Sequence, residues 1–328
     1  MESGVVKSLI SKVIFITGNQ SQRSCLSPSG SYQAQIYDMR NKYILEYSLI
    51  IIVILLSITG FWNIYFGVDA NPNLYHHLHV ITNLIWLLLL LYQLNLIGKN
   101  KHLIHRKIGL AVLFVGPLLV ATTSLLSIHS AHKGLISGRG DFLIVQNVMV
   151  TIELGLLIAL AFIFKKQRRL HGAFLLSTAI LFMGIALFFT LLSFVPQFKI
   201  EGPETFYRFG TAAATSRYVC IIVGLVFFLK AYKNGWPLLV AGSFFSLNEL
   251  INNLLADHNQ IQLLTETVGS LNQLLGFLIS FFILFIVLLS TGIRKWNGPK
   301  VQFESIGFVE SGQLADFTPL DRKKQSDV

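Results

Sequence analysis

The sequence predicts an all-α protein, a polytopic integral membrane bundle of about eight transmembrane helices with both termini inside. Of its 328 residues, 53% are hydrophobic and only 13% are charged, and the mean hydropathy is +0.62. Such a balance is typical of membrane proteins rather than of two soluble domains. The length of the apolar runs and the placement of the positive charges support the same fold class.

The apolar runs each have about the 20 residues that a helix needs to cross ~30 Å of hydrocarbon. Within lipid every backbone N–H and C=O must be satisfied inside the run, so helices are the expected structure. The predicted bundle covers residues 43–293, with a histidine-bearing core at 76–195. Its eight predicted spans are residues 43–66, 78–98, 107–128, 142–164, 171–195, 211–228, 236–256 and 268–293.

The net charge of +10 follows the predicted topology. With the N-terminus inside, 21 of the 26 Lys and Arg residues fall in the inner segments, as expected when cytoplasmic loops retain positive charge. Residues 1–42 are then a cytosolic arm, whose first 38 residues are expected to be disordered or an upstream extension of the true start. Residues 294–328 form a cytosolic tail. The two cysteines, Cys25 and Cys220, argue against a disulfide framework.

The second predicted span carries a polar stripe on one face. His79, Asn83, Trp86, Leu90 and Gln93 follow each other at intervals of four, three, four and three residues, which keeps them on one side of a helix. A polar stripe on an apolar membrane helix is expected to face protein, water or a cofactor. The plain alternative is that Asn83 and Gln93 are interhelical hydrogen-bonding groups and that Trp86 is packing.

Three charged residues lie inside predicted spans, namely Glu153, Arg217 and Glu249. Ionisable groups in a bilayer need partners and often mark ion or proton routes. At ~1.5 Å per residue, Arg217 and Glu249 lie about 9 and 10 Å below the outer ends of their helices, so we expect them to pair. Glu249 also shares a helical face with Ser246 and Asn253.

The histidines fall in two groups on opposite sides of the predicted membrane. On the inner side, His102 and His105 precede the third span and His171 opens the fifth. On the outer side, histidines and one carboxylate gather at three loop ends: His76, His77, His79, His129, His132 and Asp141.

The stretch from residue 76 to about 190 resembles a family of uncharacterised bacterial multi-pass membrane proteins. The similarity is carried by a helix with Trp86 and Gln93, by the HRxxG turn at His105 to Gly109, and by the later basic turn that ends at His171. It implies a bacterial cytoplasmic membrane protein without an established activity. A looser similarity links such histidine-bearing bundles to b561-type cytochromes and ferric reductase membrane domains, which hold haem by histidines set well inside facing helices.

Two cofactor hypotheses follow from the histidines. The first is a haem b electron carrier, with iron held by His105 and His171 on the inner side or by an outer pair. That outer pair would join one of His76, His77 and His79 to His129 or His132, and Arg106 and Arg169 would meet the inner haem propionates. The second hypothesis is an outer-face transition-metal site, since imidazole with carboxylate suits such ions. Its ligands would come from His76, His77, His79, His129, His132 and Asp141.

The favoured hypothesis is a non-enzymatic transporter, sensor or assembly partner that acts through Glu153, Arg217 and Glu249. The sequence lacks a phosphate-binding glycine loop, a nucleophile elbow and a dinucleotide fingerprint, but whether the protein is an enzyme stays open. The expected partner is the lipid bilayer, with unknown membrane-protein partners possible and nucleic acid not expected.

Overall fold

The computed structural model describes residues 43–68, 70–138 and 140–293. Of these residues 84% are helical and none forms a strand. The predicted arm (1–42) and tail (294–328) lie outside the described residues. Short 3₁₀ helices at Pro196–Phe198 and Pro203–Thr205 precede α8. The α-helices of the described part are α1 Ile44–Gly60, α2 Trp62–Phe66, α3 Leu74–Gly98, α4 His102–Gly109, α5 Val112–Ser137, α6 Ile144–Ile163, α7 Arg168–Phe194, α8 Tyr207–Lys230, α9 Trp236–Asp257, α10 Ile261–Gly269 and α11 Gln273–Ile293.

Seven helices of the described chain are long and apolar enough to cross a membrane: α3, α5, α6, α7, α8 with the short turn before it, α9 and α11. The first predicted span is shorter, because α1 has 17 residues and a turn at Phe61 separates it from α2. Large apolar side chains cover the outside of the bundle, as on α11, where Leu274 and Ile283 are exposed. The structure therefore fits a multi-pass membrane protein, and the count of eight spans stays a prediction.

Two helices form the centre of the bundle. α7 packs against α1, α6, α8 and α9, while α5 packs against α3, α6, α10 and α11. α6 contacts both central helices and joins the two groups. Side chains from several of these helices, including Trp86, Leu119, Leu154 and Phe174, are almost fully buried in one hydrophobic core.

The helix ends lie at two ends of the bundle. We call the end with residues 99–111, 164–167 and 231–235 the basic end, and the end with residues 67–73, 138–143 and 195–206 the opposite end. At the opposite end Asn73 caps α3, because its side chain accepts hydrogen bonds from the backbone N–H groups of Tyr75 and His76. At the basic end Lys230 binds Glu46 at 2.7 Å and so joins α8 to α1.

The predicted boundaries of the third and the eighth spans are wrong. The third span is not continuous from residue 107, because the chain turns at Leu110 and Ala111 and the charged segment before that turn forms the separate helix α4. α5 then continues past residue 128 to Ser137 and ends at Gly138, whose φ of 67° is the left-handed conformation that terminates helices. The eighth span begins at Gln273 rather than at residue 268.

Candidate functional site

A cavity of about 970 Å³ occupies the half of the bundle nearest the opposite end. Side chains from α1, α2, α3, α5, α6, α7, α8 and α9 line it. Its lining extends from residues in the middle of the helices, such as Asn83 and Asn248, to residues at the opposite end, such as Phe66 and Phe142. Cavities of this size between helices are typical sites for small organic ligands.

Polar side chains lie at one depth in this half of the bundle. Asn83 is nine residues from the first residue of α3, Glu153 nine from the first of α6, and Asn248 nine from the last of α9. At 1.5 Å per residue, each of these three residues lies about 14 Å from the helix terminus at the opposite end of the bundle. Ser57 is nine residues from the end of α2. We call these four residues the polar floor, together with Gln146, which lies only two residues into α6 but whose side chain contacts Asn248.

The polar floor contains hydrogen-bonding atoms without partners. Asn248 is 2% exposed and donates from Nδ2 to Gln146 Oε1 at 3.3 Å and to Glu153 Oε2 at 3.4 Å. Buried polar atoms are normally hydrogen-bonded, so each exception needs an explanation. Within the described part of the chain, five buried side-chain atoms find no partner: Ser57 Oγ, Asn83 Oδ1, Gln146 Nε2, Glu153 Oε1 and Asn248 Oδ1.

Four of those five residues line the cavity, and the fifth, Glu153, contacts the cavity through Asn248. Glu153 is 3% exposed, and no ion pair of this carboxylate occurs among the described residues. An unpaired buried charge is costly in a membrane. The cavity thus places a carboxylate and unsatisfied amides beside a space large enough for a ligand.

The predicted ion pair between Arg217 and Glu249 is confirmed. Arg217 Nη1 lies 3.8 Å from Glu249 Oε2, and both side chains line the cavity. The Arg217 guanidinium also lies 5.7 Å from the ring centroid of Tyr218. The sequence predicted that Ser246 and Asn253 share a face of α9 with Glu249. In the structure, the residues that line the cavity beside Glu249 are Asn248 and Asn252.

Aromatic side chains line the cavity together with aliphatic ones. Phe188 stacks edge-on against both Phe189 and Phe209, and Phe245 lies over Gly184, where a Cβ atom would collide with its ring. Aromatic faces bind apolar groups and attract cations. The aromatic lining residues are Phe61, Trp62, Tyr65, Phe66, Phe142, Phe188, Phe189, Phe209 and Phe245.

The six residues of the predicted outer metal site point in several directions. His77 contacts the hydroxyl of Tyr65 on α2. His132 donates to the carbonyl of Gly269 on α10 at 3.2 Å. Asp141 accepts a hydrogen bond from the backbone N–H of Leu143 at 2.9 Å, at the start of α6. These three side chains are each bound by a partner on a different element of the fold.

His76, His79 and His129 do line the cavity. The rings of His76 and His129 lie 5.7 Å apart, and Asn73 binds both, through its Oδ1 at 2.6 Å and its Nδ2 at 2.9 Å. His79 lies 3.4 Å from the hydroxyl of Thr122. Among the described residues, no group of three or more His, Cys, Asp or Glu is arranged to hold a metal ion, so the six residues are not assembled into one site.

At the basic end, Gln93 connects α3 to α4. Its amide nitrogen donates to Nδ1 and to the backbone carbonyl of His105, and its oxygen accepts from the N–H of Gly109 at 2.9 Å. The two backbone contacts determine this orientation of the amide. Gln93 is therefore an interhelical hydrogen-bonding group, as the plain alternative for the polar stripe proposed, whereas Asn83 of the same stripe faces the cavity.

The two inner histidines differ in their suitability as haem ligands. His171 donates from Nδ1 to the carbonyl of Ala161 at 2.7 Å, which leaves Nε2 as the available lone pair, the arrangement of many ligating histidines. His105 instead accepts at Nδ1 from Gln93, so a neutral ring carries its proton on Nε2 and has no lone pair to offer iron. His105 does not fit an axial haem ligand in this structure.

The pKa of His105 is lowered from its ordinary value of 6.5, first by burial and then by the nearby His171 and His102. Burial disfavours the charged ring, and positive neighbours do the same. The neutral form fits the contact with Gln93, because only a neutral imidazole can accept that hydrogen bond.

Sequence reasoning found Asn83, Glu153, Arg217 and Glu249 but missed Ser57, Gln146 and Asn248. Gln146 and Asn248 are amides inside apolar spans, and that polarity was the available signal. Comparisons with protein-family models, with curated proteins and with solved structures find no match for this chain.

Proposed function

We propose that the protein is a non-enzymatic membrane transporter that binds a small organic solute in the central cavity. The observation that supports it is the polar floor, where four of the five residues with unpartnered buried hydrogen-bonding atoms line a cavity of about 970 Å³. A solute that supplies the missing hydrogen bonds would remove the cost of those atoms. The protein would lie in the bacterial cytoplasmic membrane with its basic end inside.

A transporter rather than a fixed receptor is favoured by the position of the polar floor. Asn83, Glu153 and Asn248 each lie about 14 Å from the opposite end, near the middle of a bilayer of ~30 Å. Membrane transporters commonly hold their substrates at this depth, between groups of helices that rock against each other. Here the cavity lies between the helices around α5 and those around α7.

The test is accessibility of the floor from both sides of the membrane. In a Cys25→Ser background, the Ser57→Cys variant is treated with a membrane-impermeant cationic methanethiosulfonate, in right-side-out and in inverted vesicles. Cys220 stays in place because it is fully buried. A transporter that alternates between two open states predicts modification from both sides.

A receptor with a permanently closed basic end predicts modification from the opposite end alone, and that outcome would contradict transport. Failure to react from either side would contradict a water-filled cavity altogether. The matched control is Ser290→Cys on α11, because Ser290 does not line the cavity. This cysteine should not be modified from both sides of the membrane.

The haem and metal hypotheses receive no comparable support. The tautomer of His105 argues against a haem held by His105 and His171. The residues of the predicted outer metal site are held by different elements of the fold. Neither haem binding nor metal binding is therefore proposed as a second function.

A further inference from the structure

The unpartnered atoms of the polar floor are mostly hydrogen-bond acceptors. Four are oxygens, on Ser57, Asn83, Glu153 and Asn248, and one is the donor Nε2 of Gln146. The hydroxyl of Ser57 can also donate, but the carboxylate and the two amide oxygens cannot. A ligand that satisfies this floor must therefore bring more donors than acceptors.

The geometry of α6 and α9 shows why a donor belongs beside Asn248. Its Nδ2 is already used by Gln146 and Glu153, at 3.3 and 3.4 Å. Its Oδ1 is left unsatisfied although the side chain is 2% exposed and lines the cavity. The carboxylate of Glu153 lies behind Asn248 at the same depth, in contact with Asn248 Nδ2 rather than in the lining of the cavity, and it attracts a positively charged donor to this wall.

Among the residues that the structure describes, the cavity wall supplies no counter-charge for Glu153. Arg217 is taken by Glu249 at 3.8 Å, and Lys133 lies only four residues from the end of α5 at the opposite end. His76 and His129 are also near that end and are bound to Asn73. At the depth of the floor, Arg217 pairs with Glu249, and the described residues leave the carboxylate of Glu153 without a cationic partner.

We propose that the cavity binds an organic cation, a primary amine on an apolar or aromatic body, with its ammonium group against Oδ1 of Asn248 and close to the carboxylate of Glu153, which contacts the cavity through Asn248. A primary ammonium has three donors and no acceptor, which matches the surplus of oxygens. Hydrogen bonds between charged partners are the strong ones. The aromatic wall would hold the apolar body, and its ring faces would favour the positive charge. This inference rests on the proposed function, since it names the class of solute.

The experiment compares three indoles of similar size by isothermal titration calorimetry on the full chain in detergent. Tryptamine carries an ammonium group, tryptophol a neutral hydroxyl and indole-3-propionate a carboxylate. We expect tryptamine to bind about tenfold more tightly than tryptophol, as a charge-assisted hydrogen bond implies, and indole-3-propionate to bind most weakly. Equal affinities, or tightest binding of the carboxylate, would overturn the inference.

The Glu153→Gln variant keeps the shape of the side chain and removes its charge. It should lose the preference for tryptamine over tryptophol while its affinity for tryptophol changes little. Glu266→Gln is the matched control, because Glu266 is exposed on α10 and binds Gln262 instead of lining the cavity. A preference that survives in Glu153→Gln contradicts the assignment. If that variant does not fold, the ranking of the three indoles on the unchanged protein still decides the charge of the ligand.

A cavity-filling variant separates this inference from the proposed function. Gly210 lines the cavity and Gly172 does not, and at both an added Cβ meets no atom within 4 Å. If the indoles bind to Gly172→Trp but not to Gly210→Trp, without preference for the amine, the inference fails and the cavity remains a solute site. If the unchanged protein binds none of them, both proposals fail.

Discussion

Trp86 ties α3 to the central helix α7 by one hydrogen bond. Its Nε1 donates to Oγ1 of Thr178 at 2.9 Å, and both side chains are 0% exposed. Hydrogen bonds between membrane helices contribute modestly, because the separated helices also find partners. The side chain that sequence analysis assigned to packing therefore also makes a specific contact.

We expect a double-mutant cycle on Trp86 and Thr178 to show a small positive coupling energy. Trp86→Phe and Thr178→Val each remove one partner, and we expect a coupling energy on the order of 1 kcal/mol in the free energy of unfolding. Equilibrium unfolding in detergent micelles measures it. Trp236→Phe combined with Thr178→Val is the control pair and should be additive, since Trp236 packs on Phe174 instead. Equal coupling in both cycles would show that the hydrogen bond is not the cause.

His105 makes the stability of the protein depend on pH. Its folded pKa lies below the ordinary 6.5, so the unfolded chain binds more protons as the pH falls through that value. The stability contributed by the neutral ring is present above 6.5 and is lost as the pH falls through the lowered folded pKa. Acid therefore weakens the contact between His105 and Gln93.

Replacing His105 by Asn should reduce this pH dependence. The Asn side-chain oxygen can accept the Gln93 hydrogen bond but does not titrate. Between about pH 7.5 and about pH 5, we expect the melting temperature of His105→Asn to fall less than that of the unchanged protein. His258→Asn, an exposed histidine after α9, should keep the original dependence. An unchanged fall in His105→Asn would contradict the assignment.

At the scale of single residues, spacing predicted part of the site. The intervals along α3 placed Asn83 and Gln93 on one face but did not distinguish their surroundings, since one faces the cavity and the other binds α4. The depth argument paired Arg217 with Glu249 correctly. Asn248 was missed because which of several polar residues on α9 faces the cavity depends on the rotation of that helix against α6 and α8, and one sequence does not determine this.

At the scale of helices, glycines bring α8 and α9 into close contact. A Cβ added at Gly242 would lie 2.5 Å from the carbonyl oxygen of Cys220, and one at Gly224 would lie 2.7 Å from that of Leu238. Small residues allow such close approach between membrane helices. The contact positions Asn248 on α9 and Arg217 on α8 around the cavity.

Gly242→Ala should therefore destabilise the bundle. The backbone of α8 must shift to admit the methyl group, and overpacking of this kind costs about 1–3 kcal/mol. A lower melting temperature in detergent is the expected result. Gly172→Ala is the control, because a Cβ there meets nothing within 4 Å and alanine favours the helix. If the two variants melt alike, the contact between α8 and α9 does not depend on glycine.

Helix positions were predictable because the apolar runs are long, whereas several boundaries were not. Hydropathy falls near residue 128, yet α5 continues to Ser137 because Ala131 and Gly134 are buried against neighbouring elements. The break before α5 coincides with the hydrogen bonds that Gln93 donates to His105 and accepts from the N–H of Gly109. Such tertiary contacts override the local pattern and are not visible in composition.

At the scale of the whole molecule, the distribution of Lys and Arg predicts which end faces the cytoplasm. Lys233 lies between α8 and α9 at the basic end, and Glu204 lies in the turn before α8 at the opposite end, and both are exposed. In a Cys25→Ser background, an impermeant maleimide should label Glu204→Cys in intact cells. Lys233→Cys should react only after permeabilisation. The reverse pattern would contradict the predicted topology.

The central claim is that a cavity open to solvent reaches the polar floor in the middle of the bundle. The rate at which the cationic methanethiosulfonate modifies Ser57→Cys tests it most directly, when it is measured with Trp placed at Gly210 or at Gly172. We expect rapid modification with Gly172→Trp and severalfold slower modification with Gly210→Trp, because a Trp side chain at Gly210 fills the cavity. Equal rates in the two variants, or no reaction in either, would contradict it.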